Sequence, residues 1–283
     1  MNAVCNTFRY LAYKTWNLLS SARLVQYQPG EETITDINVL ELKKRHHLQI
    51  VTQTFSKPEE GKTGADWEWW LTGSSRHWFG FRVQAKVINL NTNKFEHLHY
   101  KSPKSKLYQS DRLIVNALRS KVPLVPLYCL YSHWNGDLHS QLFCCLTFGI
   151  APEFFGCSLM SAFDVRQLRL QGNVLDLSSV RPHFYPWHCL VCCSGYGVTD
   201  LPSRARSFWH EVIRRNEISM KASEDEELDS DELADLREIY NNLDLAEDPP
   251  MHVSQLLSGE LAEPPDQDIG GVIIVRESQE AVA

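Results

Sequence analysis

The fold is decided by the sequence TGADWEWWL at residues 63–71 and the sequence WFGFRVQAKV at residues 78–87. The first stretch alternates polar with aromatic residues, which is the pattern of a half-buried β-strand, and the second reads as its partner strand. The residues Gly73-Ser74-Ser75 between them are typical of a turn. The two stretches therefore predict a β-hairpin.

The hairpin brings a set of polar side chains towards one place. Successive side chains of a strand point to opposite faces, so Asp66 and Glu68 share a face of the first strand and Gln84 and Lys86 share a face of the second. Carboxylate and amide oxygens are hard ligands that suit Mg²⁺. Such a metal lowers the pKa of water and offsets charge on a phosphate, and a lysine can orient the water or stabilise the transition state. Gly64 allows the chain to turn tightly just before the acid. The set therefore predicts metal-dependent hydrolysis of phosphodiester bonds.

Regular elements are expected on both sides of the hairpin. Apolar spacing and end signals predict helices at about 31–45 and 108–121. Residues 48–55 and 122–131 are rich in apolar and β-branched residues and predict strands, and a further strand is expected at 144–150. This pattern predicts an α/β fold with a mixed central sheet flanked by helices.

The two strands of the hairpin also carry a resemblance. Gly64-Ala65-Asp66 followed by Gln84-Ala85-Lys86 resembles the PD-(D/E)XK restriction-endonuclease-like superfamily, and most of all its Mrr-type branch, which pairs a G-x-D strand with a Q-x-K strand. The segment 63–70 is also similar to an uncharacterised bacterial family with a TGADWEWW signature. The resemblance covers about a third of the chain. It implies a core of helix, strand, hairpin strands, helix and strand, the order expected over residues 31–131.

The resemblance also implies roles for single residues. Asp66 and Gln84 would be metal ligands, with Gln84 standing where many relatives have an acid, and Lys86 would be the catalytic lysine. The first helix would add a carboxylate, with Glu32 as the candidate and Glu41 as the reserve. The expected activity is that of a Mg²⁺- or Mn²⁺-dependent endonuclease acting on DNA in bacterial anti-phage defence. An RNase, and an inactive nuclease fold that binds nucleic acid or a partner protein, are the alternatives.

Charge is divided unevenly along the chain. Residues 1–210 carry a formal charge of +8 and residues 211–283 carry −15, which together give the net −7. A basic body suits a polyanionic partner, although an ordinary solvated surface explains the same counts. The candidate contacts to nucleic acid are Glu68, Arg82, His97, His99, Lys101 and Gln109, with the two histidines expected on one face of a strand.

The chain is expected to divide into four segments: an N-terminal helix within 1–30, a nuclease-like core at 31–150, further α/β elements at 151–222, and an acidic, partly disordered tail at 223–283. The tail is rich in Asp and Glu, which is typical of disordered segments. Within it, the apolar run Gly270-Gly271-Val272-Ile273-Ile274-Val275 could return as a late strand. One hypothesis is that it mimics nucleic acid and covers the site, so that deletion from Ser223 raises activity. A solubilising tail is the alternative.

Cysteine usage predicts a reducing, cytoplasmic setting, because the eight cysteines lie in apolar surroundings without the spacing of a disulfide scaffold. His188 and the run Cys189-x-x-Cys192-Cys193 suggest a zinc knuckle, but the second ligand pair is missing unless Cys144-Cys145 or Cys157 contributes. Buried thiols are the alternative.

Several classes of protein are excluded by what the sequence lacks. No apolar run is long enough to span a membrane, and no signal peptide is expected. There is no P-loop, no G-x-G-x-x-G and no nucleophile elbow. An activating or sensor protein is therefore expected to supply energy or sensing. Cleavage of both strands of DNA would need two sites, so a homodimer is expected.

Overall fold

The computed structural model describes residues 3–55, 65–103, 105–135, 151–192, 200–217, 230–266 and 269–277. The strands are β1 (Ile50–Thr54), β2 (Trp67–Thr72), β3 (Trp78–Val87), β4 (Val125–Tyr131), β5 (Cys157–Ser161), β6 (Tyr185–Pro186) and β7 (Gly271–Arg276). The α-helices are α1 (Ala3–Leu24), α2 (Glu31–Arg45), α3 (Gln109–Leu118), α4 (Ala162–Leu170), α5 (Leu177–Val180), α6 (Cys189–Cys192), α7 (Leu201–Glu217), α8 (Ser230–Asn241) and α9 (Met251–Ser258). Short 3₁₀ helices cover Pro152–Gly156 and Arg181–His183.

The described strands form one mixed sheet in the order β1-β7-β2-β3-β4-β5-β6. The pairs β2–β3, β4–β5, β5–β6 and β1–β7 are antiparallel, while β7–β2 and β3–β4 are parallel. Helices flank the sheet, so the predicted α/β class with a mixed central sheet is confirmed.

The predicted hairpin is present as β2 and β3, with Glu68 opposite Arg82 in the register. The order α2-β1-β2-β3-α3-β4 is the order expected from the sequence over residues 31–131. These elements follow from local patterns: α2 starts with acids and ends with bases, and β4 is an unbroken buried apolar run. The strand expected at 144–150 lies outside the described residues.

The described part of the C-terminal segment contains regular structure. Residues 223–283 were expected to form an acidic, partly disordered tail with a late strand, and their described part contains α8, α9 and β7. Strand β7 lies between β1 and β2, and Val272 and Ile274 on it have no exposed surface. The apolar run at 270–275, expected as a late strand, forms β7 and completes the sheet. Residues 223–229, 267–268 and 278–283 lie outside the described residues.

The close approach of β7 to β2 depends on a glycine. A Cβ atom built on Gly271 would lie 2.2 Å from the ring of Trp67, so only glycine allows these two neighbours to meet. The aromatic residues of β2 and the apolar residues of β7 join a continuous buried core with α1, α2 and α7. Gly271 therefore allows β7 to pack closely against β2, the strand that follows Asp66.

The structure also bears on the predictions for the N-terminal helix, residues 151–222 and membrane spans. The helix expected within residues 1–30 is present as α1. Among the further α/β elements expected at 151–222, Asp176 caps α5 by accepting from the Ser179 backbone amide. No helix in the described part of the chain is both long and apolar enough to cross a membrane.

Candidate functional site

Asp66 stands immediately before β2, where the hairpin and β7 meet. Its backbone amide donates to Val83 O at 2.8 Å, and its carbonyl accepts from the Gly270 amide at 2.7 Å. Its carboxylate oxygen Oδ2 accepts from Gln84 Nε2 at 2.6 Å and from the Ala85 amide at 2.9 Å. The carboxylate is therefore held at the end of β3 by two donors from the partner strand.

The amide group of Gln84 has a defined orientation. Its nitrogen Nε2 donates to Asp66 Oδ2 and to Ala85 O, at 2.6 and 3.0 Å. Both neighbours are acceptors, so this end of the amide must be the NH₂ group. The oxygen Oε1 accepts from Gln109 Nε2 at 2.7 Å. Gln84 was predicted to offer its carbonyl oxygen to a metal beside Asp66. In the structure this oxygen faces Gln109, and the NH₂ group of Gln84 positions Asp66.

Lys86 and Glu31 form the second part of the site. Lys86 Nζ lies 3.4 Å from Glu31 Oε1, and the side chain of Lys86 is only 7% exposed. Burial raises the pKa of Glu31, the charge of Lys86 opposes this, and the charge of Asp66 adds to it. The effect of Asp66 on Glu31 shows that the two carboxylates belong to one electrostatic cluster.

The carboxylate that α2 brings to Lys86 is Glu31, whereas the sequence favoured Glu32 with Glu41 in reserve. Glu32 lines the same cleft, but Glu41 is paired with Arg45 at 3.2 Å near the other end of the helix. The helical period of α2 could have identified Glu31. The buried residues Thr35 and Leu42 lie four and eleven positions after Glu31, so all three share the face towards the sheet.

Glu31, Glu32 and Asp66 border an open cleft between α2, β1 and the start of β2. Its volume is about 600 Å³. Among the described residues, its charged lining consists of the four carboxylates and one ammonium of Glu31, Glu32, Asp36, Asp66 and Lys43. The cleft therefore carries an excess of negative charge beside Lys86.

The donor set fits Mg²⁺ better than a metal that needs several side chains. In the described ranges, no group of three or more His, Cys, Asp and Glu residues is arranged to hold a metal. Mg²⁺ commonly needs only one or two carboxylates and takes its remaining ligands from water and from substrate phosphates. Asp66 and Glu31 are two carboxylates that line the same cleft.

Glu68 and Arg82 lie apart from this cluster. Arg82 Nη2 is 2.9 Å from Glu68 Oε1, and Glu68 Oε2 accepts from Trp70 Nε1 at 3.2 Å and contacts His252 Nε2 at 3.0 Å. Arg82 also reaches Asp266 at 2.5 Å. Glu68 is 1% exposed and Arg82 4%. Through His252 and Asp266, the Glu68–Arg82 pair connects α9 and the segment before β7 to the sheet. Because Glu68 and Arg82 are buried, the structure gives no support to their predicted contact with nucleic acid.

The segment with the two histidines is a turn between β3 and α3, not the expected strand. His97 is exposed, and its charge lowers the pKa of Glu31, which places it near the site. His99 Nε2 lies 2.9 Å from Val174 O, and the Lys101 ammonium lies 4.7 Å from the centre of the Tyr108 ring. The three side chains therefore have separate surroundings, because a turn does not give residues i and i+2 a common face.

The cysteines of the zinc hypothesis are not brought together in the described part of the chain. Cys189 and Cys192 are the first and last residues of α6, and Arg9 Nη2 donates to Cys192 Sγ at 3.2 Å. Cys157 lies in β5, where burial raises its pKa and its thiol donates to Thr15 at 3.4 Å. The remaining candidates, Cys144, Cys145 and Cys193, lie outside the described residues.

Comparison with known protein families identifies a family whose function is unknown. The family DUF6615, described as a family of unknown function, has a model that matches residues 4–281. The chain belongs to this family. No curated protein matches the chain. The DUF6615 match covers α1 through β7, so β7 belongs to the same unit as the hairpin that carries Asp66.

Proposed function

We propose that this protein is a metal-dependent nuclease that hydrolyses phosphodiester bonds, with Mg²⁺ as the metal and DNA as the first substrate to test. The observation that carries the proposal is the convergence of Asp66, Glu31 and Lys86 beside one open cleft. Two carboxylates and an ammonium at such a place are the groups that phosphodiester hydrolysis requires. The order α2-β1-β2-β3-α3-β4 supports a restriction-endonuclease-like core.

Each residue has a separate task in this mechanism. Asp66 and Glu31 would hold the metal through their carboxylate oxygens, and Gln84 with the Ala85 amide fixes the orientation of Asp66. Mg²⁺, when bound, supplies Lewis acidity and offsets the negative charge of the phosphate. The ammonium of Lys86 stabilises charge that develops on the phosphate oxygens and orients the attacking water.

The charge of the cleft supports a requirement for metal. Four carboxylates line it together with Lys43, and such a surface repels a polyanion unless cations neutralise it. A divalent cation held by Asp66 and Glu31 would offset much of this negative charge and would relieve the repulsion between the two carboxylates. Binding of nucleic acid at this cleft is therefore expected to depend on Mg²⁺ or Mn²⁺.

An inactive nuclease fold that binds nucleic acid or a partner protein is the second candidate. It is favoured by one feature: Lys86 is engaged by Glu31, and the Gln84 carbonyl is engaged by Gln109. A site in which the lysine and the amide are both bound internally has fewer groups left for a substrate. The role in bacterial anti-phage defence, the activating partner and the homodimer stay predictions from the sequence.

The test is an assay of cleavage and binding on the full chain, with supercoiled plasmid DNA and total RNA as substrates and Mg²⁺ or Mn²⁺ as the metal. The variant is Lys86→Ala, and the matched control is Lys44→Ala, whose side chain is 74% exposed on α2. Cleavage that the control keeps and Lys86→Ala loses supports the nuclease and names its substrate. Binding without cleavage in all three proteins supports the inactive fold instead.

A further inference from the structure

The cleft beside Asp66 continues as a groove along α2. The helix lines it with a stripe of residues that runs from Glu31 to Lys43. This stretch of helix is about 18 Å long, at about 1.5 Å per residue. Strand β1, at the edge of the sheet, adds Thr52 and Thr54 to the lining. The groove therefore extends well beyond the carboxylates that were assigned to the metal.

Part of the groove is apolar. Val39 and Leu40 on α2 line it, together with Phe55 after β1 and Trp67 at the start of β2. Leu40 is 66% exposed and Phe55 is half-buried, so both present surface that a ligand can cover. Phosphodiester hydrolysis itself uses charged groups and metal ligands. The apolar surface is therefore available for a part of the substrate other than its phosphates.

In a nucleic acid, this part is the face of a base. Stacking on aromatic side chains strengthens the binding of an unpaired base by roughly 5- to 150-fold. The bases of a duplex are paired and stacked inside it, so a groove reaches them only in a single strand or in a nucleotide turned out of the helix. The volume of about 600 Å³ is that of a small-molecule site. It suits one or two nucleotides rather than a duplex.

We propose that the substrate of this site is single-stranded DNA, with one base held in the groove against Phe55 and Leu40. The adjoining phosphodiester then lies at the carboxylates of Asp66 and Glu31. This inference rests on the proposed function, because that function places the phosphate at these two residues. Asp36 lines the same groove, and its carboxylate can accept a hydrogen bond from an N–H group on the unpaired edge of the base.

The charges of the groove agree with this mode of binding. The acids of α2 that line it lie in the first two turns of the helix, while Lys43 lies in the last turn. The acidic end repels the phosphates of any strand until a metal is bound. Affinity must then come from the metal and from contact with a base, and a duplex supplies only the first of these contacts.

The first experiment measures binding by fluorescence anisotropy to the Lys86→Ala protein in Mg²⁺. The probes are a labelled DNA strand of about 12 nucleotides, the same strand in a duplex, and a strand of equal length whose central positions are abasic. The intact strand is expected to bind about 5-fold tighter or more than either other probe. Equal or tighter binding of the duplex or the abasic strand overturns the proposal, as does failure of the intact strand to bind.

Two further substitutions in the same protein locate the preference. Leu40→Ser and Phe55→Leu are each expected to lower the ratio of intact-strand to abasic-strand affinity by about 3-fold or more. A merely structural defect would weaken both probes alike and leave this ratio unchanged. The controls are Leu48→Ser, at a residue that is 76% exposed outside the described lining, and Phe55→Tyr, which keeps an aromatic face.

The ratio decides the outcome. An unchanged ratio in Leu40→Ser or in Phe55→Leu contradicts the placement of the base, and so does an equal loss in the controls. If Phe55→Leu does not fold, Leu40→Ser decides alone, because the side chain of Leu40 is largely exposed and its replacement is expected to leave the fold intact.

Cleavage by the wild type separates this inference from the nuclease itself. In Mg²⁺ the single strand is expected to be cut about 5-fold faster or more than the duplex. Negative supercoiling favours local unpairing, so supercoiled plasmid should be cut faster than linear plasmid. Equal or faster cleavage of the duplex would keep the nuclease and overturn the single-strand substrate. A binding preference without cleavage of either probe would keep the single-strand groove and overturn the nuclease.

Discussion

Asp66 Oδ2 accepts the hydrogen bond of Gln84 Nε2 at 2.6 Å, and this contact joins two residues that are 18 positions apart on adjacent strands. The same amide accepts from Gln109 through its oxygen, so a chain of side chains runs from α3 to the carboxylate at the edge of the cleft. The orientation of Asp66 therefore depends on a helix that does not itself line the cleft.

Gln109 is expected to matter for activity through Asp66. Gln109→Leu removes the donor that fixes the Gln84 amide, so Asp66 loses its defined orientation. We expect cleavage to fall by about 10-fold and the Mg²⁺ concentration for half-maximal rate to rise, since misplacement of a ligand weakens both metal binding and rate. The measurement is a Mg²⁺ titration of the cleavage rate. Gln171→Leu, at the C-cap of α4, is the control and should leave both values unchanged.

Glu31 is expected to make stability depend on pH. Burial raises the pKa of Glu31 above its ordinary value of 4.5, with Lys86 opposing and Asp66 adding to the shift. The folded state then binds more protons than the unfolded state in the window just above pH 4.5, so stability falls as the pH rises through it. Compared with the wild type in EDTA, Glu31→Gln should be at least as stable at pH 7, with the difference shrinking towards pH 4.

Thermal unfolding of both proteins between pH 4 and pH 8 tests this sign. The corresponding variant of the neighbouring residue, Glu32→Gln, serves as the control because it leaves the ion pair of Lys86 with Glu31 in place. A Glu31→Gln protein that becomes less stable than the wild type as the pH rises from 4 to 8 would show that the ion pair with Lys86 outweighs burial.

The ion pair of Glu68 and Arg82 is expected to carry stability rather than chemistry. Burial alone would raise the pKa of Glu68, but the contacts with His252 and Arg82 lower it overall. Glu68→Ala leaves Arg82 without its buried partner and should cost about 3–5 kcal/mol in urea unfolding. Since the folded pKa is lowered, the contribution of Glu68 is present above the ordinary value and is lost as the pH falls through the folded pKa. A decrease of less than about 1 kcal/mol in the free energy of unfolding of Glu68→Ala would contradict this role.

Strand β7 is expected to be indispensable for folding. Ile274 has no exposed surface, so Ile274→Asp buries a charge in the sheet and should destabilise the protein by about 4 kcal/mol or more. Leu261 is 90% exposed in the same C-terminal segment, and Leu261→Asp should stay within about 0.5 kcal/mol of the wild type. Deletion from Ser223 onward removes β7 and should therefore yield unfolded protein, not the gain of activity expected from a detachable tail. Equal stability of the Ile274→Asp and Leu261→Asp proteins would contradict this prediction.

Local patterns predicted the hairpin, α2, α3 and β4, because each depends on a period within ten to fifteen residues. The apolar run 270–275 also indicated a late strand, but the place of β7 between β1 and β2 is a non-local pairing that a local pattern does not predict. The choice of Glu31 over Glu32, and the turning of the Gln84 carbonyl towards Gln109, also depend on neighbours far along the chain. The sequence located Asp66, Gln84 and Lys86, while the tertiary structure decided which groups they touch.

The most direct test of the proposed nuclease is the rate at which the purified protein cuts supercoiled plasmid in Mg²⁺, for the wild type beside Asp66→Asn. The substitution keeps the size of residue 66, leaves one oxygen to accept from Gln84 and the Ala85 amide, and removes the charge that would hold the metal. We predict cleavage by the wild type that EDTA abolishes, and a loss of about 100-fold or more in the variant, with little change in Tm. Cleavage at an equal rate by both proteins would contradict the assignment of this site.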